Sequence, residues 1–271
     1  MPNDGGELMA QVVALYRYPV KGFTPEVCDS LTVLDEGRIA GDRVLGFRFA
    51  NSSVLDDAWS KKHEFVALVN TPGIARLHLR FEPETLRLCV SLEGAVLLNE
   101  TLDAIGRSRI AAAIENYVLK LDDNPLSNHP ERLPLRLVGN GLSPRYQDDA
   151  AGMITLHSRA SLTAVSSAVG DRLLSEQRFR SNIAIDGLDA WEEQRWIGRK
   201  IRIGQIIFDV VTPKSRCLAT QVNPQSGERD LPILKTLTHA FSQKKPTFAI
   251  AMHPRGGGGN IHIGDDVRLL N

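Results

Sequence analysis

Residues 212–227 read Thr212-Pro213-Lys214-Ser215-Arg216-Cys217-Leu218-Ala219-Thr220-Gln221-Val222-Asn223-Pro224-Gln225-Ser226-Gly227. A strand-like run, Ile206-Ile207-Phe208, leads into them. Pro213 and the turn signal Asn223-Pro224…Gly227 place the cysteine at a strand end or in a loop. Lys214 and Arg216 stand within three residues of the sulfur. Cations beside a thiol favour its anionic form, and a thiolate is a nucleophile or a soft metal ligand. A packing cysteine between two solvated cations fits the local sequence equally well. The other two cysteines differ. Cys89 lies in an alternating apolar strand, LRLCVSL, and reads as packing; Cys28 sits between Glu26 and Asp29, which disfavour a thiolate.

Working outward, other cations also stand beside turns: Tyr18-Pro19-Val20-Lys21-Gly22, Gly41-Asp42-Arg43 and Arg178-Phe179-Arg180-Ser181-Asn182. Backbone N–H and guanidinium groups in such places can cradle an oxyanion. Around them the pattern is β-rich. Short apolar runs (QVVALYRY, SLTVL, RVLGFRFA, EFVALV, ARLHLRF, TLRLCV and AVLLN) recur about every ten residues between turn formers, which predicts a barrel or sandwich. Helical spacing predicts helices over 102–118, with Leu102, Ile105, Ile110, Ile114 and Val118 on one face, over 158–169 and over 231–241. Strands are predicted over 182–185, in two runs over 200–212 divided at Gly204-Gln205, and over 247–252 and 267–270. The tract His253–Asn260, with four consecutive glycines, reads as a flexible hairpin loop. The turn-rich segment 122–134 suggests two domains, 1–135 and 136–271.

The 271 residues carry 32 Lys+Arg and 32 Asp+Glu, so the net charge is zero and a general nucleic-acid or acidic-membrane binder is disfavoured. No run of about 18 apolar residues is present, so no membrane-spanning helix is expected. Three cysteines cannot build a disulfide framework, and no secretory leader is evident; a cytoplasmic protein with reduced thiols is expected. Phosphate-loop, dinucleotide, HExxH and CxxC motifs are absent, and the seven histidines show no metal-ligand spacing.

Taken in order, YPVKG, GDR, His157-Ser158-Arg-Ala-Ser-Leu162, FRSNI, W-E-E…IG, SRC and NPQSG resemble the MOSC domain family with its N-terminal β-barrel domain, and especially the amidoxime-reducing components. The resemblance runs from about Val12 to Leu270 and is most specific over 179–227. It implies a mixed α/β but β-rich fold, with an N-terminal β-barrel-like domain and a MOSC β-barrel domain with a few helices. It also implies a molybdenum–molybdopterin cofactor. Cys217 is then the metal ligand, and Lys21, Gly22, Arg43, Ser158, Arg180, Asn182, Ser215 and Arg216 bind the pterin and its phosphate. That assignment suits the chemistry. An anionic pterin dithiolene needs cations for its phosphate, hydrogen-bonding groups for its ring and one soft ligand for its metal.

The implied activity is reduction of N-hydroxylated or N-oxide compounds, the metal cycling between Mo(IV) and Mo(VI), with Cys217 as the catalytic anchor. The alternative is a cofactor-binding or sulfur-carrier protein in which Cys217 holds a persulfide. The chain departs from the family at Gly22, where relatives usually have serine, and at Asn223, where they often have aspartate. It shows neither a four-cysteine ferredoxin-like extension nor a membrane anchor. A separate electron-donor protein, a small-molecule substrate, and no nucleic-acid or membrane partner are therefore expected.

Overall fold

A computed structural model describes residues 9–270. In chain order, β1 (Met9–Arg17), β2 (Glu26–Cys28), β3 (Ser30–Val33) and β4 (Gly46–Arg48) come first. A meander follows, β5 (Leu77–Glu82), β6 (Arg87–Leu92) and β7 (Ala95–Thr101), then helix α1 (Ala104–Val118) and the short β8 (Arg136–Val138). Strand β9 (Ile154–Ser158) runs into α2 (Arg159–Val169), with β10 (Ile183–Asp186), β11 (Lys200–Ile203) and β12 (Ile206–Ser215) after it. Helix α3 (Ile233–Ala240), β13 (Thr247–Arg255), β14 (Gly259–His262) and β15 (Asp266–Leu270) complete the described residues.

The sheet order β10-β9-β13-β12-β11-β15-β1 closes on itself, because β1 also pairs with β10; seven strands make a barrel and β2 hangs from β1. Alternation makes this possible. Ile201, Ile203, Phe208 and Val210 point inward while Lys200 and Arg202 point out, and the inward set packs with Val12, Leu15, Leu156, Ile250 and Trp196. The fold is thus β-rich with a closed barrel and three α-helices among the described residues. No helix among them is long and apolar enough to cross a membrane.

A second core lies under β5–β6–β7 and α1 and includes Phe23, Phe47, Phe81, Leu88, Ile110 and Ile114. Asp103 caps α1 by accepting from the Gly106 N–H at 2.8 Å. Of the expected helical face, Ile110, Ile114 and Val118 are buried, but Ile105 is exposed; Gly106 and Ala111 take its place. Val222 belongs to this same core and Ala219 packs on it, so the turn after Cys217 is gripped by residues more than eighty positions upstream. The third core joins α2 and α3 through Val165, Leu237, Phe179 and Phe248.

Two local expectations are corrected. The run 64–69 forms no strand. Asn70 Oδ1 accepts from the Ala67 N–H and Asn70 Nδ2 donates to Phe65 O, both at 2.9 Å, while Asn70 N and Thr71 N donate to Ala67 O; the side chain converts an apolar run into a turn. The glycine tract does not fold β14 back onto β13. It carries the chain across to β3, where Ile261 faces Leu31. At that crossing a Cβ on Gly258 would lie 2.1 Å from Val33 O.

Arg48 is wholly buried at the end of β4, opposite Arg136 of β8. It donates to the carbonyls of Val54, Leu55 and Ala58 and to Ser60 Oγ, at 2.6–3.0 Å, and its guanidinium lies 4.9 Å from the Phe65 ring centroid. One cation therefore organises the irregular excursion 54–60.

Candidate functional site

Tyr18 stands at the end of β1, fully buried. The Arg43 and Arg180 guanidiniums lie 4.5 and 4.4 Å from its ring centroid. Both arginines have left-handed backbones, φ 52° and 54°, each just past a tight turn. Burial pushes the Tyr18 hydroxyl up to about 12, and the two arginines act against that rise. Arg43 is held by Asp42 at 2.5 Å; burial disfavours its charge, but Asp42 outweighs burial and the guanidinium keeps its proton more firmly than usual. Asp42 also accepts from the Tyr18 N–H at 2.8 Å, which fixes the turn.

Lys21 is almost wholly buried. Its ammonium donates to Tyr146 O (2.8 Å), Gln147 O (3.1 Å) and Asp148 Oδ1 (3.2 Å). Burial lowers its pKa, and Arg43 and Arg180 add to that against Asp148. Desolvation acts to raise the Asp148 carboxyl, but Lys21, Arg43 and Arg180 prevail and hold it well below the carboxylate range. Asn182 is buried beside them. Its Oδ1 accepts from Thr155 N (3.3 Å) and Oγ1 (3.2 Å), and its Nδ2 donates to Tyr16 O (3.3 Å).

Strand β12 brings up the other wall. Arg216 donates to Phe248 O (2.7 Å from Nε) and Phe179 O (2.6 Å), and burial lowers its pKa to about 10. Cys217 follows as a free, half-buried thiol. Its carbonyl accepts from Thr220 N (3.0 Å) and Oγ1 (2.9 Å), so a single short turn sets the sulfur's position.

Most of these groups border one cavity of about 350 Å³, a size suited to a small cofactor or ligand, while Tyr18 and Asp42 lie outside its lining. Lys21, Gly22, Arg43, Arg180, Asn182, Ser215, Arg216 and Cys217 all border it. Ser158 does not. Its hydroxyl is the cap of α2, accepting from Ser161 N at 3.1 Å and donating to Ser161 Oγ at 3.0 Å, and it is wholly buried. Seven cationic side chains face two carboxylates in the lining, so a chain of zero net charge has a strongly cationic pocket. Sequence reasoning did not single out Lys62, Gln147, Thr155 or Met153, which also line it. No motif marks them; long-range folding alone brings them in.

Gly22 has φ 82°, and a Cβ there would lie 2.5 Å from Ala67 Cβ. The glycine is therefore set by the approach of the 65–68 segment. Gly22→Ser is expected to push that wall outward, lower stability by roughly 1–3 kcal/mol and weaken ligand retention. Thermal melting and ligand content check this; a serine variant at least as stable as wild type would contradict it.

Behind the cavity, Glu176 anchors the turn that delivers Phe179 and Arg180. It accepts from Tyr16 Oη (2.6 Å) and Arg159 (2.9 and 3.2 Å), and His157 Nε2 lies 3.3 Å away. Desolvation opposes its charge, but His157, Arg159 and Tyr16 hold the carboxyl well below its usual range. Burial pushes His157 below 6.5. Both groups bind fewer protons folded than unfolded. Their contribution is present above their ordinary values and is lost as pH falls, below 6.5 for His157 and then below 4.5 for Glu176. Glu176→Gln should therefore cost roughly 2 kcal/mol at neutral pH, with the gap to wild type narrowing once pH falls below 4.5, where the unfolded carboxyl takes up its proton. Denaturant titrations across pH 7 to 4 check this; a gap independent of pH would contradict it.

Among the described residues, a closed barrel thus carries a cationic cavity that one free thiol borders. Residues 145–268 match the family model "MOSC domain". Over 96% of this chain it is 26% identical to mitochondrial amidoxime-reducing component 1 of Mus musculus, covering 82% of that protein. Over 76 residues, 28% of this chain, it is 34% identical to human molybdenum cofactor sulfurase, of which that stretch is 8%. Among solved structures, the YUAD protein of Bacillus subtilis aligns with a TM-score of 0.43 and 11% identity, over 97% of this chain and 96% of that one.

Proposed function

We propose that the cavity binds a molybdenum–molybdopterin cofactor and that the protein reduces N-hydroxylated or N-oxide compounds. The observation that carries this reading is the convergence on one cationic cavity of Lys21, Arg43, Arg180, Asn182 and the Ser215–Cys217 segment. The donor set suits such a group. Among the described residues no cluster of three or more His, Cys, Asp or Glu could hold a bare metal ion, so a metal at Cys217 must bring its other ligands with it, as a dithiolene does. Gln147 Oε1 is buried without a partner, an acceptor suited to a pterin N–H.

In this reading Cys217 supplies the one protein sulfur, the Lys21–Arg43–Arg180 group holds the phosphate, and Asn182, Gln147 and Ser215 meet the ring. When bound, the cofactor supplies a two-electron centre that accepts the substrate oxygen. The overall change breaks the N–O bond, consumes two electrons and two protons, and yields water with the N–H compound from an N-hydroxylated substrate or the free amine from an N-oxide. The electrons come from a separate donor protein, and the cytoplasm is the setting that suits three unpaired thiols. The experiment is production in a cofactor-making host, then assay of an amidoxime with excess chemical reductant, following amidine formation. Amidine is the expected product; molybdenum-loaded protein that reduces no N-oxygenated compound would refute the activity.

A further inference from the structure

Six of the cavity's seven cations already have partners in the protein. Lys21 pairs with Asp148, Lys214 with Asp149, Arg178 with Asp230 at 2.8 Å, and Arg43 with Asp42. Arg180 donates to Phe23 O and Arg216 to Phe179 O and Phe248 O. Lys62 lines the same cavity and, among the described residues, has no carboxylate, carbonyl or ring partner. Its place in the fold differs too. It opens the short turn Lys62–Glu64 between exposed Lys61 and His63, whereas Lys21 is 1% exposed. Lys62 is therefore more exposed than Lys21 and Arg178, the two buried cations of the lining, and its ammonium is not spent on the protein. The same lining also offers apolar side chains, Leu68, Val69, Met153 and Ala219.

We propose that Lys62 receives an anionic substituent of the substrate, so that the preferred N-oxygenated compounds carry a carboxylate or an equivalent anion at the end remote from the N–O group. The apolar wall takes the uncharged body, and the N–O group points down toward Cys217. This inference rests on the reductase reading above. An unpaired, partly shielded ammonium gives a charge-assisted contact to a carboxylate that a neutral analogue cannot make; such contacts are worth roughly tenfold in affinity.

The test compares two probes, an uncharged aryl amidoxime and its para-carboxylate, on cofactor-loaded wild type, Lys62→Met and Lys62→Arg, with excess chemical reductant and with molybdenum measured on each protein. In wild type the carboxylate probe should show about tenfold higher kcat/KM, carried by KM, and the advantage should shrink as salt screens the pair. The ratio should fall toward one in Lys62→Met and persist in Lys62→Arg. A ratio of one in wild type, or an advantage that survives in Lys62→Met, overturns the proposal. Loss of molybdenum in Lys62→Met also overturns it, by assigning the lysine to the cofactor. Equilibrium binding of the two probes to the loaded proteins, read by calorimetry, gives the same comparison without turnover. Tighter carboxylate binding that needs Lys62, with no amidine formed, would sustain the anion site and sink the reductase reading instead.

Discussion

Cofactor-loaded Cys217→Ala should reduce N-oxygenated substrates no faster than the reductant alone, while melting within about 5 °C of wild type. The separation of the two effects follows from how the turn is built. The Cys217 backbone is held from outside its side chain, by Thr220 N and Oγ1 on its carbonyl and by Val222 in the core under α1. Asn223 Oδ1 then accepts from Gln225 N at 2.9 Å, closing the following turn. The half-buried thiol contributes little packing, and its loss is of the order of 1 kcal/mol or less. What disappears is, among the described residues, the only sulfur that lines the cavity besides the Met153 thioether. Retained turnover in a molybdenum-bearing alanine variant would show that this sulfur does not hold the reacting metal. Collapse of the fold would show that the cysteine is packing, the other reading of its local sequence.

The largest stability effect is expected at Arg48. Replacing it with alanine should cost about 3–5 kcal/mol and lower the melting temperature by roughly 10 °C. Three carbonyls and the Ser60 hydroxyl lose a buried, charged donor at once, and Phe65 loses the guanidinium packed on its ring. The damage should spread to the cavity. The excursion that Arg48 gathers carries Trp59, whose Nε1 donates to Gln147 O at 2.9 Å, and it runs directly into Lys62. Ser60→Ala removes one of the four partners and should cost about 1 kcal/mol. Melting of the two variants side by side checks the argument; an Arg48→Ala protein within 2–3 °C of wild type would contradict it.

The sequence was most legible where the signal is local. The two strand-like runs over 200–212, divided at Gly204-Gln205, correspond to β11 and β12, and the helix expected over 158–169 is α2. It failed where one side chain captures the backbone, as Asn70 does over 64–69, since apolar content there is indistinguishable from a strand. It also could not give pairing across the chain. Nothing near Leu15 announces that it lies opposite both Ile183 and Cys28. The cavity divides the same way. Cys217, Arg216, Arg180 and Lys21 stand out beside turns, because chemistry and local conformation coincide there. Ser158 is a site residue only by the resemblance, and the structure spends its hydroxyl on the cap of α2. Lys62 and Gln147 carry no local mark, and only the three-dimensional accounting of partners brings them forward.

The most direct test of the account is elemental analysis for molybdenum on wild-type protein purified from a cofactor-producing host. About one molybdenum per chain is the predicted result, released together with a pterin on denaturation. Well-folded wild type from that host with no molybdenum, and with a mass gain of one sulfur on Cys217, would contradict the account and leave the sulfur-carrier reading in its place.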